Sequence, residues 1–150
     1  MLTGIHHAGI TVSDLDRALT FYRDLLGLQV FVQMERTDHT IGDIVGYPGA
    51  RINIAFVGVP GDTARVELLQ YVVPQGEALK PETFQPASGH VCFRADDIDG
   101  MYRRIAEAGY QPRSDAPVTI TEGANKGARV FYVRDPDGYS VELFQPPPGR

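Results

Sequence analysis

The chain of 150 residues has a single cysteine, Cys92, so no disulfide can form within it. A reducing, cytoplasmic setting is the default expectation for such cysteine usage. There is no basic run. The net charge is −5 and the isoelectric point is near 5.3. Nucleic acid and anionic membranes are therefore not expected as partners. Nor is there a long apolar run. The opening MLTGIHHAGI lacks a basic segment followed by an apolar stretch, and no segment reaches bilayer length, so neither a leader nor a membrane span is expected. What remains is ordinary globular material, 43% apolar and 22% charged, in a length that suits one domain with a sizeable core.

The informative feature is internal repetition. Residues 4–27 read GIHHAGITVSDLDRALTFYRDLLG and residues 87–109 read ASGHVCFRADDIDGMYRRIAEAG. His7 aligns with His90, Asp14 with Asp97, Asp16 with Asp99 and Gly27 with Gly109. Each half also closes alike, in Val66-Glu67-Leu68-Leu69-Gln70 and Val141-Glu142-Leu143-Phe144-Gln145. The period, about 80 residues, is too long for a solenoid unit and fits duplication of a small α+β module. Each module thus carries one His near its start and one Glu near its end, four potential ligands for a divalent metal.

In the first module Ile5 to Val12 reads as a strand. Ser13, with Asp16 three residues on, predicts a helix start. Leu15, Ala18, Leu19, Tyr22, Leu25 and Leu26 follow helical spacing, and Gly27 is the expected cap. Strands are expected near 29–36, 51–57 and 64–72. The second module repeats this plan: a strand from His90 to Ala95, a helix capped by Asp96 and ended by Gly109, and strands near 117–121, 128–134 and 139–145. Asp135-Pro136-Asp137-Gly138 is a strong turn signal. The expected fold class is α+β, with two tandem βαβββ modules forming a cup-shaped, partly open mixed β-sheet. Module one spans 1–72, a Pro/Gly-rich linker 73–87, module two 88–146, and a frayed tail 147–150.

Strand alternation sorts the side chains. His7 and Gly9 fall on the face opposite His6, Ala8, Ile10 and Val12, whose apolar members should meet the helix. His90, Cys92 and Arg94 share a face in the same way, as do Glu67, Leu69 and Tyr71, and Glu142 and Phe144. Two glutamates held mid-strand between apolar neighbours are costly to bury unpaired, and a metal would offset that cost.

HHAGITVSDLDRALTFYRDLLG, VELLQY, GHVCFRADDID and DPDGYSVELFQ together resemble the vicinal oxygen chelate superfamily, the glyoxalase/bleomycin resistance/extradiol dioxygenase group, over almost the whole chain. The resemblance implies paired βαβββ modules around one divalent metal, with His7, Glu67, His90 and Glu142 as ligands. Nickel, cobalt, zinc, manganese or iron would suit such a set. A His2Glu2 set is similar to that of glyoxalase I and of methylmalonyl-CoA epimerase. It implies a lyase or isomerase working through a metal-stabilised enediolate or enolate next to a carbonyl, with Glu67 and Glu142 as catalytic bases. The implied partner is a small molecule with a carbonyl or vicinal oxygens. The absence of a recognisable glutathione-binding set argues against the methylglyoxal–glutathione adduct. Two alternatives stay open: a ferrous ring-cleaving dioxygenase, and a non-catalytic drug- or metabolite-binding resistance protein. A homodimer is expected, with modules pairing within one chain or across two.

Arg94, Arg65, Asn53 and Tyr71, with Arg51, are expected to line the cup and contact substrate. His6 is expected to be structural and helix-facing, His39 a loop residue, and Cys92 a small buried hydrophobe. The 122–127 loop reads equally as a lid or a plain hairpin connection.

Overall fold

A computed structural model describes residues 1–149. The chain divides into two compact units, Met1–Ala78 and Leu79 onward. Each is built on a four-stranded mixed sheet with no closed barrel.

The first unit runs β1 (Ala8–Thr11), α1 (Leu15–Leu19) continued by a π-helical stretch (Thr20–Leu25), β2 (Gln29–Arg36), α2 (His39–Val45), β3 (Arg51–Gly58) and β4 (Val66–Val73). Its sheet order is β1-β4-β3-β2, with β1 parallel to β4 and the other pairs antiparallel. The second unit runs β5 (His90–Arg94), α3 (Ile98–Glu107), β6 (Val118–Thr119), β7 (Arg129–Arg134) and β8 (Ser140–Gln145), in the order β5-β8-β7-β6 with the same directions. The duplicated βαβββ plan is therefore present in both.

Each helix closes one face of its own sheet, α1 over β3 and β4, and α3 over β8. In the first unit Ile10, Val12, Leu15, Ala18, Leu19, Val66 and Leu68 are buried. In the second, Ile98, Ile105, Phe131, Val133, Val141 and Leu143 are buried. Full burial of such a side chain is worth roughly 1.5–3 kcal/mol, so these apolar faces hold helix to sheet. The π-helical stretch is closed by Leu26 N–H donating to the Phe21 carbonyl at 2.9 Å. The wider turn brings two consecutive rings, Phe21 and Tyr22, fully into the core, edge-to-face at 5.1 Å.

Three local expectations are corrected. Both helix caps lie one residue later than the Ser13 and Asp96 predicted. Asp14 Oδ1 accepts from Arg17 N–H at 2.8 Å, and Asp97 Oδ1 accepts from Gly100 N–H at 2.9 Å. Either of two adjacent capping side chains satisfies a cap pattern in sequence; the extended backbone at Asp14 selects the one whose carboxylate reaches the third amide. Second, His39 opens a helix rather than lying in a loop. Ile41 of α2 is buried against Ala50, Ile52 and Ile54, with Leu69 and Tyr71 alongside. Seven residues are too few for a periodic signal, and one buried isoleucine anchors the turn. Third, the strands start later or are shorter than expected at β1 and β6, because Ile5 and residues near 117 lack ladder partners.

Of the expected linker, residues 79–87 belong to the second unit, where Glu82 pairs with Arg113 at 2.6 Å and Arg134 at 2.9 Å. In the expected tail, Arg150 lies outside the described residues. Among the described residues no helix is long and apolar enough to cross a membrane.

Candidate functional site

The repeat places the same pair of side chains at the same place on each sheet. In the first unit Gly9 of β1 lies beside Glu67 of β4, and His7 sits two residues before it, on the same face. His7 Nε2 is 3.1 Å from Glu67 Oε2. In the second unit Cys92 of β5 lies beside Glu142 of β8, and His90 again precedes it by two. His90 Nε2 is 3.0 Å from Glu142 Oε2. The glutamate side chains are 15% and 16% exposed, the histidines 35% and 44%. Each carboxylate is thus sunk in the sheet while its imidazole faces outward.

Among the described residues neither glutamate is in ion-pair reach of a lysine or arginine. A mostly buried carboxylate with no lysine or arginine beside it is costly to hold ionised. Imidazole nitrogen beside carboxylate oxygen is also a donor set that divalent first-row metals accept. The chemistry of each pair therefore fits a divalent cation. Among the described residues no group of three or more His, Cys, Asp or Glu side chains is gathered; each unit supplies a two-ligand pair.

The surroundings of the pairs differ. His7 stacks edge-to-face on Phe56 at 5.4 Å, and its Nδ1 lies 2.7 Å from His6 Nδ1. His6 is exposed and touches His7 rather than the helix, which corrects the expected packing. His7 thus meets Glu67 through Nε2 and His6 through Nδ1, so both of its ring nitrogens are engaged. In the second unit Tyr132 takes the place of Phe56. Its hydroxyl donates to Glu142 Oε2 at 2.7 Å and lies 3.3 Å from His90 Nε2. Burial, and then the adjacent Glu142, push the phenol above its ordinary range, so it stays a donor. Cys92 is exposed rather than buried, yet partial burial and then Glu142 push its thiol up to about 11.

Tyr132 escaped the sequence reading. Phe56 lies eleven residues before Glu67, but Tyr132 lies ten before Glu142, so a gapless overlay of the repeats hides their equivalence. A signal lay in the ladder: Phe56 pairs with Glu67 as Tyr132 pairs with Glu142.

The residues expected to contact substrate are placed unevenly. Arg94 lies on the face of His90, Cys92 and Glu142, exposed, its side chain in no hydrogen bond or ion pair among the described residues. Tyr71 shares the Glu67 face but packs into the α2 cluster, 6.4 Å from the Tyr47 ring. Burial raises its phenol, with Tyr47 and Glu67 adding to the effect. Arg65 donates to the Asp62 and Ala64 carbonyls and lies over the Phe31 ring at 3.8 Å. Asn53 is on the other face. Its amide donates to Gln70 Oε1 at 3.1 Å, and Gln70 also accepts from Leu15 N–H and donates to the Ser13 carbonyl. Asn53 thus braces the start of α1. Arg51 pairs with Glu35 at 3.0 Å at the sheet edge. The 122–127 segment is a hydrogen-bonded connection between β6 and β7, closed by Ile120 N–H to the Ala128 carbonyl and Gly127 N–H to the Ile120 carbonyl, each at 2.8 Å.

Duplicated mixed sheets with a His–Glu pair on each define a class of metal-dependent enzymes and their binding relatives. The chain belongs to the Glyoxalase/Bleomycin resistance protein/Dioxygenase superfamily, whose family model matches residues 4–143. It is 29% identical to a "Probable lactoylglutathione lyase" of Vibrio parahaemolyticus over 94% of this chain and 89% of that one. It is also 29% identical to an ethylmalonyl-CoA/methylmalonyl-CoA epimerase of Cereibacter sphaeroides, over 97% of this chain and 99% of that one. In fold it resembles a glyoxalase family protein from Bacillus cereus, with a TM-score of 0.84 at 21% identity, covering 98% of this chain and 96% of that one.

Proposed function

We propose that this protein is a divalent-metal-dependent lyase or isomerase that moves a proton on a carbon next to a carbonyl. His7 with Glu67, and His90 with Glu142, each supply half of the metal's ligands. The observation that carries the reading is the pair of matched His–Glu contacts, 3.1 and 3.0 Å, with no lysine or arginine in ion-pair reach of either carboxylate among the described residues. Relatives that are a lyase and an epimerase support the reaction class. When bound, the metal acts as a Lewis acid on a carbonyl oxygen and so acidifies the neighbouring carbon. Glu67 and Glu142 take and return that proton. Arg94 offers its exposed guanidinium to an anionic or carbonyl group of the substrate. The substrate class is a small molecule bearing a carbonyl or two vicinal oxygens.

The test is solvent exchange. Protein reconstituted in turn with nickel, cobalt, zinc and manganese is incubated in heavy water with a panel of α-hydroxycarbonyl compounds and acyl thioesters. NMR then reads loss of the C–H signal next to the carbonyl. Exchange that falls by about 100-fold or more in Glu67→Gln or Glu142→Gln supports the assignment. No exchange with any metal and compound contradicts it. Oxygen uptake on catechols with ferrous iron would favour a ring-cleaving enzyme instead.

A further inference from the structure

The two half-sites share a backbone and differ at one functional position. On the strand across from each glutamate stands an aromatic residue, Phe56 opposite Glu67 and Tyr132 opposite Glu142. Both rings meet their histidine edge-on, at 5.4 Å and 5.3 Å. Only the tyrosine adds a hydroxyl, and that hydroxyl reaches both members of its pair. Among the described residues no hydroxyl donates to Glu67; its ion-pair contact is with His7.

We propose that Tyr132 is the positioning residue of the second half-site, its hydroxyl holding the Glu142 carboxylate beside His90, the pair that would hold the metal. The inference rests on the metal reading above. A hydrogen bond from outside the ligand set removes carboxylate rotation that binding would otherwise have to freeze. The second pair is then the preorganised half, and Glu67 the more mobile carboxylate. The first unit shows that a phenylalanine ring packs stably at this place, so Tyr132→Phe deletes the hydroxyl with little change in packing. Phe56→Tyr is the mirror change.

Cobalt(II) affinity of the full chain, measured by competition with a chromophoric chelator, tests this directly. The visible spectrum of bound cobalt and the melting of metal-free protein are recorded alongside. Tyr132→Phe is expected to weaken cobalt binding by about tenfold or more and to alter its spectrum, with metal-free melting near wild type. Phe56→Tyr is expected to tighten binding. Wild-type affinity and spectrum in Tyr132→Phe would overturn the inference while leaving the metal reading intact. Should that variant not fold, failure of Phe56→Tyr to tighten binding overturns it. Wild-type protein that takes up no cobalt would overturn both.

Discussion

Gln70→Leu should destabilise the chain by roughly 2–3 kcal/mol, and Gln145→Leu by about 1 kcal/mol. Both glutamines end the repeated VEL-x-Q motif and both accept from the first amide of a helix. Gln70 Oε1 accepts from Leu15 N–H at 3.4 Å and Gln145 Oε1 from Ile98 N–H at 3.1 Å. Gln70 does more. It accepts from the Asn53 amide at 3.1 Å and donates to the Ser13 carbonyl at 3.3 Å. A typical hydrogen bond contributes about 0.5–1.5 kcal/mol net, and the two longer ones belong at the low end. Leaving the half-buried Asn53 amide unpaired adds its desolvation penalty. Equilibrium urea unfolding of both variants measures the difference. A double-mutant cycle with Asn53→Ala isolates the Asn53–Gln70 coupling, expected near 1 kcal/mol. Equal losses for the two glutamines, or a coupling near zero, would refute the reasoning. Asn53→Ala should also leave cobalt affinity unchanged, because Asn53 faces away from the His–Glu pair.

Ile41→Ala should cost about 2–4 kcal/mol in urea unfolding, since Ile41 is the buried anchor of α2 on β3; a loss under 1 kcal/mol would mean α2 is not docked there. Cys92 should alkylate slowly at pH 8. Raising a thiol from its ordinary 9.0 to about 11 cuts the thiolate a hundredfold, and higher intrinsic nucleophilicity returns about tenfold, leaving a rate about tenfold below a free thiol by mass spectrometry. The same raised thiol favours the folded state fully at low pH; that contribution fades as pH climbs from about 9 to about 11, because only the unfolded thiol ionises there. Cobalt at about 100 times its Kd should stabilise the fold by about 2.7 kcal/mol, and a chelator should abolish the gain; no change in the melting curve would contradict ligation by the folded state.

The modules were legible because duplication doubles every signal. A lone His near a strand says little, but His7 and His90 at matched places, each with a later Glu, narrow the chemistry sharply. Strand alternation placed Arg94 on the face of His90 and Glu142, and Tyr71 on that of Glu67. It misplaced Asn53, because the register of β3 against β4, with its bulge between Arg51 and Ile52, is not written in either strand alone. Tyr132 was hidden by the one-residue difference in hairpin length. The cap residues were ambiguous because two capping side chains stand adjacent in each half. Helix α2 is held by tertiary burial of Ile41, which local pattern does not reveal. The Gln70 and Gln145 contacts were in view as a repeated residue, but the donors they accept from are helix amides more than 40 positions away in sequence, Leu15 and Ile98.

Metal content tests the central claim most directly. Protein purified without chelator is analysed by elemental analysis, as wild type, His7→Ala, His90→Ala and the double variant, with reconstitution of each. The account predicts about one equivalent of a divalent first-row metal in wild type, weaker retention in either single variant, and none in the double. No bound metal in wild type and none taken up on reconstitution would contradict it.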